Sequence, residues 1–345
     1  EANATILDGQ DARRVLYQPS DFNNQTEWNG FTVQHGFING NGGGVYMRGN
    51  FILSYCVVQN NKADIPTTNE NIYGGGGVFA NASYATSPKA KIVHCTVRNN
   101  IAIGERSSQG GGISAIHADI EYSQLSYNQA IVRCNNSNCY GEGGGLYLKS
   151  SYVSSCIVSN CLIANNTATS GGGIKCHTGT IINTTIVRNA CSSVNAGAVG
   201  AGISGYFSLF NSIVWGNVKK NVNSSDNVDE FYSHVVENSA IECSSVATVG
   251  SRIGANCIIL NASCFVNPAI IAGSNDTTSN VDWHLKNGSI CVNRGNNSAV
   301  TDSLDLDGTT RIKRDTVDMG CYESDYNSVP SAEYRGIVYV TPTGA

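Results

Sequence analysis

A Gly-rich corner followed by an apolar residue returns six times in this chain: GGGVY (42–46), GGGGVF (74–79), GGGIS (110–114), GGGLY (143–147), GGGIK (171–175) and GAGIS (200–204). Each copy is answered by a short apolar segment that closes on an asparagine, at Asn61, Asn100, Asn128, Asn166, Asn189 and Asn217. A repeat of this kind fixes the architecture before any single residue is weighed.

Counting back from the closing asparagines gives columns. Five places earlier stand the small residues Cys56, Cys95, Ser123, Cys161, Thr184 and Ser212. Three places earlier stand the branched Val58, Val97, Leu125, Ile163, Ile186 and Val214, and eight places earlier Leu53, Ile92, Ile120, Val158, Ile181 and Leu209. Between the small and branched columns lies a mixed set, Val57, Thr96, Gln124, Leu162, Thr185 and Ile213. That alternation has a period of two, which is strand and not helix. Like residues in columns imply coils stacked in register, each strand about 4.8 Å above the last. Asparagine tolerates left-handed turns, and its amide can build a hydrogen-bonded ladder. Glycine runs suit sharp corners. The copies are 28 to 35 residues apart, so a constant coil carries loops of variable length, as in 62–73 and 131–140. The chain therefore reads as an all-β parallel β-helix, a solenoid forming one elongated domain. FTVQHG (31–36) and ATILDG (4–9) extend it toward the start, with Phe31 and Val33, then Ala4 and Ile6, in the small and branched columns. No polar N-terminal cap is visible, so the chain is expected to be trimmed there.

Formal charge is −5 with 14% charged residues and no basic stripe, which excludes a nucleic-acid partner. No apolar run approaches the ~20 residues of a membrane span, and no signal peptide precedes the first strand. Of thirteen cysteines, Cys56, Cys95 and Cys161 read as buried small side chains. Cys134 and Cys139 flank NNSN and form the best local disulfide pair.

Four C-terminal motifs follow in order: CFVNPAI (264–270), DWHLKNGSICVNRGN (282–296), DLDGTTR (305–311) and VDMGCYE (317–323). Together with the coils they resemble the right-handed β-helix proteins of the pectate-lyase-like superfamily. The closer resemblance is to secreted Bacteroidetes surface modules that end in D-DG--R and then D-GAYE. Two departures are Cys321, where that group has Ala, and Ile290, where it has Pro. The resemblance implies right-handedness. On this reading the β-helix spans 1–323 with a C-terminal cap at 264–323, in which Arg311 pairs with Asp318 or Asp305 and Trp283 and Leu285 cover the last open coil. Residues 324–345 are a linker or the start of a following module, whose opening strand RGIVYVTPTGA (335–345) resembles.

Function is less legible. The superfamily includes polysaccharide lyases and glycoside hydrolases, but fold alone does not confer chemistry. Acidic residues on the coils are scarce, and no carboxylate pair recurs on adjacent coils as inverting hydrolysis needs. No catalytic residue is assigned. The strand after each Gly run places Tyr46, Phe79 and Tyr147 outward, with Arg48, Lys149 and His177 two positions on, a row suited to sugar rings. A second outward face carries Tyr55, His94 and Tyr122 beside Gln59 and Arg98. Asp302, Asp305 and Asp307 are a candidate calcium loop, and no other cofactor is expected. The expectation is a secreted or cell-surface monomer, non-enzymatic, serving adhesion, glycan binding or a structural stalk, with polysaccharide or a cell-surface glycan as partner. The alternative is a lyase or hydrolase acting on acidic polysaccharide.

Overall fold

The computed structural model describes residues 5–19, 24–66, 74–82, 89–134, 139–149, 156–191, 200–219, 235–242, 253–254, 256–328 and 339–340. Each coil turns through four strands, with a fifth on coils 3 and 4 (Ser107–Gln109 and Tyr140–Glu142, paired together); in the second coil they are Val45–Arg48, Phe51–Ser54, Val57–Gln59 and Lys62–Ile65. Stacked coils give four sheets of 7, 8, 11 and 7 strands, named here first to fourth in that chain order. Coils 1 to 7 begin at Leu16, Val45, Val78, Ile113, Leu146, Ile174 and Ile203; past them the second sheet continues to Val236–Glu237 and the third to Cys257–Ile259. The fold is a right-handed parallel β-helix, the hand that crossovers between parallel strands adopt almost without exception. Among the described residues no helix is long and apolar enough to cross a membrane.

The columns lie as their periodicity requires. Val58, Val97, Leu125, Ile163, Ile186 and Val214 pair in register and are fully buried. Two corners are made by left-handed residues. Gly30, Tyr55, His94, Tyr122, Asn160, Asn183, Asn211 and Asn238 turn the chain from the second sheet to the third, and Asn256 holds the same conformation before the last third-sheet strand of the helix. His35, Asn60, Asn99, Tyr127, Asn165, Arg188 and Gly216 turn it from the third to the fourth. From the second coil on, each such residue delivers its successor inward: the small column at one corner, the closing asparagines at the other.

The asparagines form a continuous buried ladder. Nδ2 of Asn61, Asn100, Asn128, Asn166 and Asn189 donates to Oδ1 of the next coil's asparagine at 2.9–3.0 Å. The backbone N–H of each donates to the same oxygen at 2.8–3.0 Å. In the small column Ser123, Ser212 and Ser239 accept from the preceding coil's N–H at 3.0–3.1 Å, and the Cys95 and Cys161 thiols donate to Leu53 and Ile120 carbonyls at 3.4 Å.

Cys134 and Cys139 are joined by a disulfide, and the ten other cysteines among the described residues are buried. Burial pushes the Cys156 and Cys257 thiols up to about 11, whereas the hydrogen bond with Cys95 holds Cys56 down at about 7 but leaves it 1% exposed. Since a reagent must reach a thiol as well as find it ionised, a Cys243→Ser chain, which removes the one cysteine outside the described residues, is expected to give no rapid reaction with an aromatic disulfide reagent while folded. All ten thiols should react after denaturation. Fast reaction of several of them in the native protein would contradict this packing.

The structure corrects the first strand. Aligning ATILDG on its glycine puts Ala4 and Ile6 inward, but Thr5 pairs with Phe31 and Leu7 with Val33. That one-residue slip exchanges the faces and leaves Ile6 58% exposed. It also turns Asp8 outward, where Gln34 Nε2 and His35 Nδ1 meet its carboxylate at 2.9 Å each.

The C-terminal segment lies along the side of the solenoid. Its hydrogen bonds reach third-sheet coils well before the last: Asn165 Nδ2 to Ile271 O at 3.1 Å, Gly273 N to Arg188 O at 2.7 Å and Cys321 N to Thr185 Oγ1 at 3.1 Å. Beneath it a second core joins outward third-sheet residues Leu162, Val187, Ile213, Trp215 and Ile258 to Phe265, Trp283, Leu285, Met319 and Tyr322. Trp215, Phe265 and Trp283 pack edge to face at 5.8 and 5.2 Å. Trp283 and Leu285 thus cover a flank of the sheet and not simply its final coil. Arg311, 1% exposed, donates Nη2 to the Asp318 and Gly320 carbonyls at 3.0 and 2.6 Å, with Glu323 Oε2 4.0 Å from Nη1. In the expected linker, Tyr339–Val340 pairs antiparallel with Cys257–Ile258, while 329–338 and 341–345 lie outside the described residues.

Candidate ligand-binding face

The first-sheet row is in register but is not one open surface. Tyr17, Tyr46 and Phe79 follow one another with ring centroids 5.2 and 5.1 Å apart, and the Arg14 guanidinium lies 5.1 and 4.8 Å from the two tyrosine rings. Ser114 then interrupts the aromatics before Tyr147. Phe79 and Tyr147 are only 1% and 2% exposed. Arg48 is exposed and Lys149 half-buried, in line along the edge of the same sheet. Tyr147 Oη meets His177 Nε2 at 2.9 Å, and burial lowers the His177 pKa. Beside them Lys175 Nζ donates to the buried Ser204 Oγ at 3.2 Å and pairs with Glu142 at 3.4 Å. A serine sealed from solvent beside an ion-paired ammonium offers a substrate no nucleophile. At Phe79 and beyond, the row is mainly packing.

The third sheet is different on coils 1 to 4, ahead of the C-terminal segment. Of its outward residues there, Gln34, Val57, Gln59, Thr96, Gln124 and Ser126 are half-buried, Thr32 is buried and Arg98 is exposed. A side-chain ladder crosses the coils: Arg98 donates Nε and Nη2 to Gln59 Oε1 at 3.0 and 2.8 Å, Gln59 Nε2 donates to Gln34 Oε1 at 3.0 Å, and Gln34 Nε2 to Asp8. Hydrogen bonds from Gln34 first, then from His35 and the Gln10 N–H, hold the Asp8 carboxyl down at about 2. Along the border of this strip Tyr55, His94 and Tyr122 stack with centroids 4.6 and 4.8 Å apart and planes 11° and 18° from parallel. Tyr55 is 55% exposed. Burial lowers the His94 pKa, favouring an uncharged ring, and burial followed by the neighbouring Asp302 carboxylate pushes the Tyr122 phenol up.

Local sequence explains the ridge. Its three rings occupy the left-handed corner that Asn160, Asn183, Asn211, Asn238 and Asn256 hold on later coils. Asparagine enters that region easily, whereas bulky side chains do so at a cost. The aromatics stop where the C-terminal segment begins: Asn160 Nδ2 donates to Asp302 at 2.8 Å, and Asn211 exchanges two bonds with Asn296 at 3.0 and 2.7 Å.

Asp302, Asp305 and Asp307 are not brought together. Asp302 faces Asn160 and Thr301, the buried Asp305 accepts from the N–H groups of Thr309 and Glu323 at 2.7 and 2.9 Å, and Asp307 meets His284 Nε2 at 2.7 Å. Among the described residues no group of three or more His, Cys, Asp or Glu is placed to hold a metal ion. Each aspartate satisfies a local turn or partner instead.

His284 is a feature that spacing in the sequence did not reveal. Its other nitrogen, Nδ1, lies 2.6 Å from Asp282 Oδ1, and Tyr322 stacks on the ring at 4.1 Å. A cavity of about 490 Å³ opens over them, bordered also by Lys313 and Tyr326. Both ring nitrogens are engaged, so the imidazole fastens the segment and has no free nitrogen with which to act as a base. No family model, curated protein or solved structure matches this chain.

Proposed function

We propose that this chain is a secreted or surface-exposed β-helix module that binds glycan without transforming it, of the pectate-lyase-like kind its C-terminal motifs resemble. The Tyr55–His94–Tyr122 ridge is the binding edge, and the amide ladder beside it supplies hydrogen bonds to sugar hydroxyls. One observation carries this reading. Three stacked rings sit at corners where asparagine suits the backbone and recurs on the later coils, and strained positions of this kind collect at functional sites. Aromatic faces bordered by donors and acceptors are what a pyranose ring, apolar on its faces and polar on its rim, is held by. Scarce carboxylates on the coils and the sealed Ser204 support a role without turnover.

A panel of neutral and acidic polysaccharides tests it by titration calorimetry against Tyr55→Asn, His94→Asn and Tyr122→Asn. Asparagine keeps the left-handed corner, so folding should persist. Each ring removed from the contact is expected to weaken binding about tenfold, the size of a hot-spot truncation, while Tyr17→Ala changes nothing. Silence across the panel, or binding indifferent to all three ridge variants, contradicts the proposal.

A further inference from the structure

The binding strip has a blind end. On coil 4 it is flanked by two tyrosines at left-handed corners, Tyr122 on the second-sheet side and Tyr127 on the fourth-sheet side. One coil later the outward residues Leu162 and Ala164 are buried beneath the C-terminal segment. A layer packed on a sheet stands about 10 Å above it, so the floor meets a wall. That wall is fastened at both borders: Asp302 lies beside Tyr122 and accepts from Asn160, while Asn165 Nδ2 holds Ile271 O at 3.1 Å and Asp276 lies beside Tyr127. Asp276 is itself tied into the wall, accepting from Ile271 N at 3.1 Å and Thr278 Oγ1 at 2.6 Å.

We infer that the strip recognises the terminus of a glycan chain, with its last ring lodged between Tyr122 and Tyr127 against the C-terminal segment. This rests on the reading of the ridge as a glycan site and adds that internal stretches of a long chain are excluded. A polymer crossing the strip would have to climb the wall at coil 5, whereas a chain end can stop there. From the first to the fourth coil the floor is about 14 Å long at ~4.8 Å per strand, which sets a short footprint. Charge narrows the ligand further. Arg98 lies between Asp8 toward one end and Asp302 and Asp276 at the wall, a pattern that favours an uncharged saccharide over a polyanion.

Stoichiometry tests this with the neutral glycan that binds best, offered as an oligosaccharide length series and as the long polymer. Affinity is expected to stop rising once the footprint is filled, and sedimentation should find one module per polymer chain whatever its length. A bulky tag on one terminus should reduce binding at least tenfold, and the same tag on the other end should leave it unchanged. Tyr127→Asn should weaken oligosaccharide binding about tenfold while retaining the fold. Many modules per chain, in proportion to length, would overturn end recognition and leave the ridge standing. Absence of binding to any glycan would overturn both.

Discussion

Replacing Asn128 by alanine is expected to destabilise the solenoid by about 3–6 kcal/mol, because several fully buried polar groups lose partners worth about 1–3 kcal/mol each. Asn128 Oδ1 accepts from both the backbone and the side chain of Asn100, and its Nδ2 donates to Val97 O and to Asn166 Oδ1. No water can replace these bonds in a packed interior, since the residue is 0% exposed. The neighbouring Asn99 is exposed and serves only to hold the left-handed corner. Asn99→Gly should therefore shift the denaturation midpoint by a few tenths of a kcal/mol at most. Equal effects from the two substitutions would mean that the ladder does not bear the corner.

Arg311→Ala should be nearly as damaging, at about 3–5 kcal/mol, the usual cost of leaving buried charges without their counterion. Asp305, Asp318 and Glu323, all buried, surround this one guanidinium. Carboxylates outnumber the cation, and burial together with Asp318 pushes Glu323 up to about 8. The folded state therefore holds a proton on Glu323 that the unfolded chain releases from its ordinary range upward. The associated stability is complete below that range and is lost as pH rises through about 8. His284 acts in the same direction: burial opposes its charge, but Asp307 and Asp282 carry its pKa above the usual value. His94, His117 and His177, whose pKa values burial lowers, act in the opposite direction, so the Glu323 contribution is read by difference: the stability of the native protein relative to Glu323→Gln should fall from mildly acidic to mildly alkaline pH. A difference that rises over the same window would contradict the assignment.

Much of the coil was readable because burial imposes a period. The small, branched and asparagine columns at Cys95, Val97 and Asn100 are each inward and each in register, and no other pattern would keep them dry. The first strand departs from its sequence pattern because Gly9 does not mark its register: Thr5 pairs with Phe31, and Asp8 faces outward to Gln34. The flank covered by the C-terminal segment carries a partial signal: the outward residues Thr96 and Gln124 give way to Leu162 on the first covered coil and, past Thr185, to Ile213. The site was harder. Period identifies which side chains point outward at Tyr46, Phe79 and Tyr147, but not which of them another segment buries. The His284 clamp joins Asp282 to Asp307 across 25 residues of irregular chain, where no periodicity operates.

The most direct test of the binding account is a crystal structure grown with the short neutral oligosaccharide of highest affinity. The account predicts sugar rings over Tyr55, His94 and Tyr122, with the terminal ring beside Gln124 between Tyr122 and Tyr127. Sugar bound instead on the first sheet at Tyr17 and Tyr46, or in the cavity beside His284, would contradict it.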